Sequence, residues 1–279
     1  MSAIEVAEVV KVVDAAEAKR TTANLVVVTG AASGLGAALT RQLLAQGHTV
    51  LGVDRDVVLL EALTKSAGSG VNFIPLVCDL AMPQGVDQAV QAVQAAQAVA
   101  GVVELLIHSA GTSAVGPFLT QAAQNLYNVL TVNLYAPIQL TTALQASGAL
   151  ASNASVVLVS SLSHYLGYPG AAVYAASKDG LAAYGRSLSV ALRVRGGNCL
   201  TVFPGPMRTP HAARFAPSGS SDRGRIAPEV VARALLAAVA ARKSRLVVGL
   251  PSQLARLLGV VAPGVATRIM AATLWRKLR

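Results

Sequence analysis

The chain has 279 residues, enough for one large domain or two small ones with a sizeable core. At 53% hydrophobic and 13% charged, the composition excludes a disordered chain. The net charge of +10 is unevenly placed: residues from Val230 onward carry +9 and no acid, leaving +1 for the rest.

Met1 to Arg20 holds Glu5, Glu8, Asp14 and Glu17 among its valines, unlike the basic start and unbroken apolar run of an export signal. Residues 1–23 read as an N-terminal extension. From residue 25 onward, apolar runs alternate with helical stretches. LVVVTG (25–30) is a strand ending in glycine, followed by a helix over 34–46. HTVLGVD (48–54) is the next strand, followed by a helix over 57–66. VNFIPLVCD (71–79), VELLIHSAG (103–111), ASVVLVSS (154–161) and NCLTVFPG (198–205) repeat the theme, and RLVVG (245–249) is the expected last strand. Continuous Val, Ile and Leu runs between helices imply a parallel sheet covered on both faces, hence a doubly wound, Rossmann-type α/β domain over 24–250. Cys78 and Cys199 lie far apart in apolar segments and read as buried free thiols, which fits a reducing, cytoplasmic setting.

The first strand runs into TGAASGLG, whose Gly30, Gly34 and Gly36 permit a tight turn. With Ser33 and Leu35, this turn would present backbone N–H groups to a pyrophosphate at the next helix's N-terminus. Asp54 ends the second strand, 24 residues after Gly30. A carboxylate there accepts bonds from ribose hydroxyls and repels a 2′-phosphate, which favours NAD over NADP. Arg55 beside it could instead pair with that phosphate. Tyr174 and Lys178 in YAASK are four apart and share a helix face. The ammonium is expected to lower the phenol's pKa from about 10 toward working pH, making it a usable proton donor or acceptor. Ser161, 13 residues earlier, ends a strand and could polarise a carbonyl.

These motifs, in this order, resemble the short-chain dehydrogenase/reductase family of the compact single-domain type, over about residues 24–250. TGAASGLG is similar to the family's TGxxxGxG. Asp79, with Leu80 after it, matches the acid that contacts adenine. Ser109, Ala110 and Gly111 stand for the family's NAG, and Asn133 for its helix asparagine. Pro204, Gly205 and Thr209 of PGPMRT match the segment that approaches the nicotinamide carboxamide. The resemblance implies that Tyr174 exchanges the substrate proton and Ser161 holds the substrate oxygen. Lys178 depresses the tyrosine pKa and binds the nicotinamide ribose, and Asn133 anchors a water linking Lys178 to solvent. Ser109 in place of asparagine loses a paired donor and acceptor, so weaker strand bracing or adenosine binding is expected.

The implied activity is hydride transfer between a nicotinamide and a secondary alcohol or ketone, a small-molecule substrate of lipophilic character. The alternatives are an NADPH-preferring carbonyl or 3-ketoacyl-type reductase and, in another class, a non-catalytic cofactor-binding regulatory protein. The intact set of four argues against the last. His48, His164 and His211 show no ligand spacing and read as structural or substrate-lining, so no metal site is expected.

Residues 105–177 contain no Asp, Glu, Lys or Arg. Within them, 121–147 reads as one helix without a charged face, which points to burial in a homo-oligomer, dimer or tetramer. Cover by the N-terminal extension is the alternative. The tail, 251–279, places Leu254, Leu257, Leu258 and Val261 on one helical face. After Pro263–Gly264 a second helix carries Val265, Ile269, Thr273 and Leu274, with Trp275 beside Arg276 and Lys277. A peripheral membrane contact and a cap on the substrate pocket or a subunit interface are equally consistent with it. Nucleic acid is not an expected partner, because the tail is more apolar than phosphate contact requires.

Overall fold

A computed structural model describes residues 24–68, 72–116, 121–215 and 224–273. The N-terminal extension, with its proposed cover role, lies outside them. Seven strands form the sheet: β1 (Leu25–Thr29), β2 (Thr49–Asp54), β3 (Phe73–Val77), β4 (Val103–His108), β5 (Leu150–Val159), β6 (Asn198–Phe203) and β7 (Arg245–Val247). Their order is β3-β2-β1-β4-β5-β6-β7, and every pairing is parallel. All five residues of β1 are buried, as a strand covered on both faces requires. The helices are α1 (Gly34–Ala45), α2 (Val57–Ala67), α3 (Gly85–Ala100), α4 (Ala123–Leu130), α5 (Ala136–Ala146), α6 (Ser163–Leu166), α7 (Ala172–Val194), α8 (Pro210–Arg214), α9 (Pro228–Ala240), α10 (Leu250–Val261) and α11 (Pro263–Thr273).

Alternate strand residues feed two cores. Val27, Leu51, Leu106 and Val156 meet Val93, Leu140, Leu144 and Leu188 on one face; Val26, Val28, Ile107 and Leu200 meet Leu39, Leu43, Val231 and Leu235 on the other. Between β1 and β4 the strand order reverses, and a crevice opens at the strands' carboxyl ends.

The helix expected over 121–147 runs without a gap from Ala123 to Ala146, with a π turn at Thr131–Tyr135 joining α4 to α5. An apolar, uncharged run carries no periodic mark of that extra residue. One expectation is corrected: β5 starts at Leu150 and ends at Val159, so Ser161 stands two residues beyond the strand. Asp79, expected after the third strand, lies two residues past β3.

Candidate active site

The crevice encloses about 350 Å³. At one end lie the glycine turn, Asp54 and Asp79; at the other lie Tyr174 and Lys178; Ser109, Ala110 and Gly111 lie between.

The turn's shape follows from two close approaches. Gly30 has φ +69°, and a Cβ there would stand 2.8 Å from Ala110 N and Cα. A Cβ on Gly36 would run into the Gly30 carbonyl. Gly36 therefore sets the packing of α1 and does not line the crevice, whereas Gly30, Ser33, Gly34 and Leu35 do. Ser33 makes no side-chain cap to α1, so the first N–H groups of that helix are left to a ligand or water.

Asp54 accepts from Ala32 N (2.9 Å) through Oδ2 and from Asp56 N (3.1 Å) through Oδ1, tying the end of β2 to the turn. Asp79 accepts from Ala81 N at 2.9 Å, and its other oxygen lies 3.7 Å from Arg55 Nη1. Leu80 also lines this end. The expected loss of bracing at Ser109 is offset by Thr29, whose hydroxyl accepts from Ala110 N (3.2 Å) and reaches the Ile107 carbonyl (3.5 Å).

At the other end, the π turn aims the fully buried Asn133 at the loop after β4. Its Oδ1 accepts from Thr112 N (2.8 Å), and its Nδ2 donates to Thr112 O (2.9 Å) and Ser177 Oγ (3.0 Å). Ser177 Oγ in turn donates to the Tyr174 carbonyl (2.7 Å). Lys178 Nζ donates to the Val159 carbonyl (2.8 Å), while Ser160 Oγ donates to the Lys178 carbonyl (2.9 Å). A Cβ on Gly111 would lie 3.4 Å from Asn133 Oδ1 and 3.5 Å from Lys178 Nζ, so these two groups face one small space.

The Lys178 ammonium lies 5.9 Å from the Tyr174 ring centroid, and the Ser161 hydroxyl accepts from Ser163 N (3.1 Å). The expected direction of the tyrosine shift is corrected here. Burial pushes the Tyr174 pKa above its ordinary value, against a downward pull from Ser161 and with a smaller upward push from Tyr168. Burial likewise lowers Lys178 to about 8. Spacing four residues apart gives a shared face; it does not give the depth at which the face lies.

Met207, Thr209, Pro210, His211, Arg214 and Phe215 cover the mouth. Thr209 caps α8 by accepting from Ala212 N (3.1 Å), and its methyl would lie 3.1 Å from a Cβ on Gly34, so the cover touches the glycine turn. Pro204 lines the crevice, whereas Gly205 packs on Ser252 of α10. Asn133, fully buried, stands behind the lining, and Ser161 is partly exposed next to it. His211, read from sequence as structural or substrate-lining, does line the crevice. Arg214, Thr112, Ser160 and Ser177 were not singled out from sequence; Ser177 sits inside YAASK and could have been read there, whereas Arg214 carries no local signal. Burial, with Lys178 and Arg214 nearby, lowers His211 to about 4. His164 pairs with Asp179 at 2.8 Å, outside the crevice lining.

A glycine turn, a helix N-terminus, a strand-end acid and a Ser–Tyr–Lys set at a topological switch point define a nicotinamide-dependent oxidoreductase. The chain belongs to the short-chain dehydrogenase/reductase family: the model of the short chain dehydrogenases matches residues 24–218. It is 32% identical over 190 residues to the granaticin polyketide synthase putative ketoacyl reductase 1 of Streptomyces violaceoruber, spanning 67% of this chain and 69% of that one. It superimposes on a variant of actinorhodin polyketide ketoreductase solved with NADPH at 27% identity and TM-score 0.74, covering 82% of this chain and 97% of that one. A family member from Burkholderia phymatum solved with NAD shares the fold at 20% identity and TM-score 0.77, covering 88% and 95%. The protein is an NAD(P)-dependent oxidoreductase acting on CH–OH or C=O groups.

Proposed function

We propose that the protein moves hydride between a nicotinamide, NAD in preference to NADP, and a lipophilic secondary alcohol or ketone. The observation that carries this reading is the Tyr174 phenol, close enough to Ser161 to feel its hydroxyl and one helical turn from the buried Lys178, in the crevice that Asp54 also lines. The bound cofactor supplies or accepts the hydride. Tyr174 gives or takes the substrate proton, and Ser161 fixes the substrate oxygen beside it. Lys178 holds the nicotinamide ribose and favours the phenolate by its charge. Asn133 Oδ1 and Lys178 Nζ border one gap opposite Gly111, which supports a water link between them. Met207 and Phe215 at the mouth support an apolar substrate.

A carboxylate at Asp54, at the end of β2 and in the crevice lining, supports NAD because it would repel a 2′-phosphate. A second reading, an NADPH-preferring ketoacyl or carbonyl reductase, has its own support. The Arg55 side chain is 57% exposed beside Asp54 and pairs with Asp79 at 3.7 Å, and two of the relatives above are ketoreductases by name. Calorimetric titration of NAD and NADP into the same preparation, followed by a panel of ketones and alcohols, separates the two. Tighter NAD binding supports the first reading, and tighter NADP binding overturns it.

A further inference from the structure

Helix α10 is turned inside out. The face it lays on the body is small and polar: Ser252 meets Gly205, and a Cβ on Gly259 would run into the Tyr165 carbonyl of α6. The opposite face, repeating every three or four residues, is Leu250, Leu254, Leu257 and Val261, 58–73% exposed. Leu258, expected with that face, is partly buried. Helix α11 buries Ala266 and exposes Val265 and Ile269. An amphipathic helix with its leucines toward water is covered by something apolar when it works.

We propose that this outward face docks on an anionic lipid surface. The charge of the segment selects that occupant. No acid follows Glu229, Arg268 is exposed on α11, and residues 274–279 add Trp275, Arg276, Lys277 and Arg279 in sequence. Arg256 of α10 is turned onto the Tyr165 ring, so the outward leucines are apolar alone and the charge comes from Arg268 and the last residues of the sequence. An apolar face followed by cations and a tryptophan matches a boundary of acyl chain and acidic headgroup. A second copy of the same face would set these cations against one another, which disfavours self-association there. Among the described residues no helix is long and apolar enough to cross a membrane, so the contact is peripheral. α10 rests on α6, which begins two residues after Ser161, so docking brings the substrate side of the crevice toward the lipid. The purpose of the contact rests on the lipophilic-substrate reading; its existence does not.

The test is sedimentation of the full chain with vesicles of phosphatidylcholine containing roughly one-third phosphatidylserine, beside vesicles of phosphatidylcholine alone. The expected result is pelleting with the anionic vesicles only, released as salt rises to about 0.5 M. The double substitution L254E and L257E, on side chains that touch solvent, should cut the bound fraction about tenfold or more. It should leave folding and the reduction of a water-soluble ketone unchanged. No pelleting with either vesicle, or pelleting indifferent to the double substitution, overturns the proposal. So does light scattering in which the substitution splits an oligomer, because the face is then an interface between copies. None of these readouts needs turnover, so they fail or succeed independently of the substrate assignment.

Discussion

Lys178 is the first charge after a neutral stretch that begins at residue 105, and its ammonium is held by a backbone carbonyl rather than by an acid. Burial draws its pKa down to about 8 while pushing that of Tyr174 above its ordinary value, because it disfavours the charged form of each. Asp54 has a double duty, because its oxygens already accept from Ala32 and Asp56. Asp54→Ala should therefore weaken NAD binding about tenfold or more and narrow its advantage over NADP, measured by fluorescence titration. An unchanged preference would remove Asp54 from cofactor selection. His108 is a residue whose part the sequence concealed. It is 2% exposed, and Thr141 Oγ1, which donates to the Pro137 carbonyl, accepts from its Nε2 at 2.9 Å. The ring is thus buried neutral, with its pKa lowered to about 3. The unfolded chain takes up a proton near pH 6.5 that the folded chain refuses, so stability is full above about 6.5 and falls as pH drops toward 3. Urea unfolding should show a loss on the order of 3 kcal/mol between about pH 6.5 and 4 that His108→Gln removes. An equal acid loss in the variant would place the sensitivity elsewhere.

At the scale of elements, the strands were legible because buried parallel strands leave unbroken Val, Ile and Leu runs, and the glycine turn because close approach excludes any side chain. What stayed hidden depends on depth and on insertion. The π turn hides in a neutral run, and the upward shift of Tyr174 comes from packing that spacing does not record. The outward leucines of α10 were visible as a face, but not the direction in which it points. The π turn has a testable role, since it delivers Asn133 to both backbone groups of Thr112. Asn133→Ala leaves those groups without a partner and should cost about 2–3 kcal/mol in urea unfolding; a change near zero would mean that the turn carries itself. Gly259→Val should push α10 off α6, because even a Cβ there meets the Tyr165 carbonyl. NAD affinity should stay within about twofold in that variant, since the cofactor motifs lie earlier in the chain. A large loss of affinity would make α10 part of the cofactor site.

The molecule as a whole is a sheet that reverses its order once and places its chemistry at the reversal. Its outer surface carries exposed Tyr127, Leu130 and Tyr135 on α4 and the π turn, and Val190 and Val194 on α7. The uncharged patch on α4 and the π turn motivates the proposal of a dimer or tetramer, and light scattering on the full chain should give twice or four times the 28.4 kDa of one chain; a monomer would contradict it. The central claim is that Tyr174 carries the proton in a nicotinamide-dependent exchange between alcohol and ketone. Tyr174→Phe removes one hydroxyl from a buried ring and leaves the crevice lining otherwise in place. The direct measurement is turnover of any accepted ketone, followed by cofactor absorbance, beside cofactor affinity in the same variant. The account predicts turnover lower by about a thousandfold or more, with affinity within about threefold of the parent chain. Substantial turnover in Tyr174→Phe, at unchanged affinity, would contradict it.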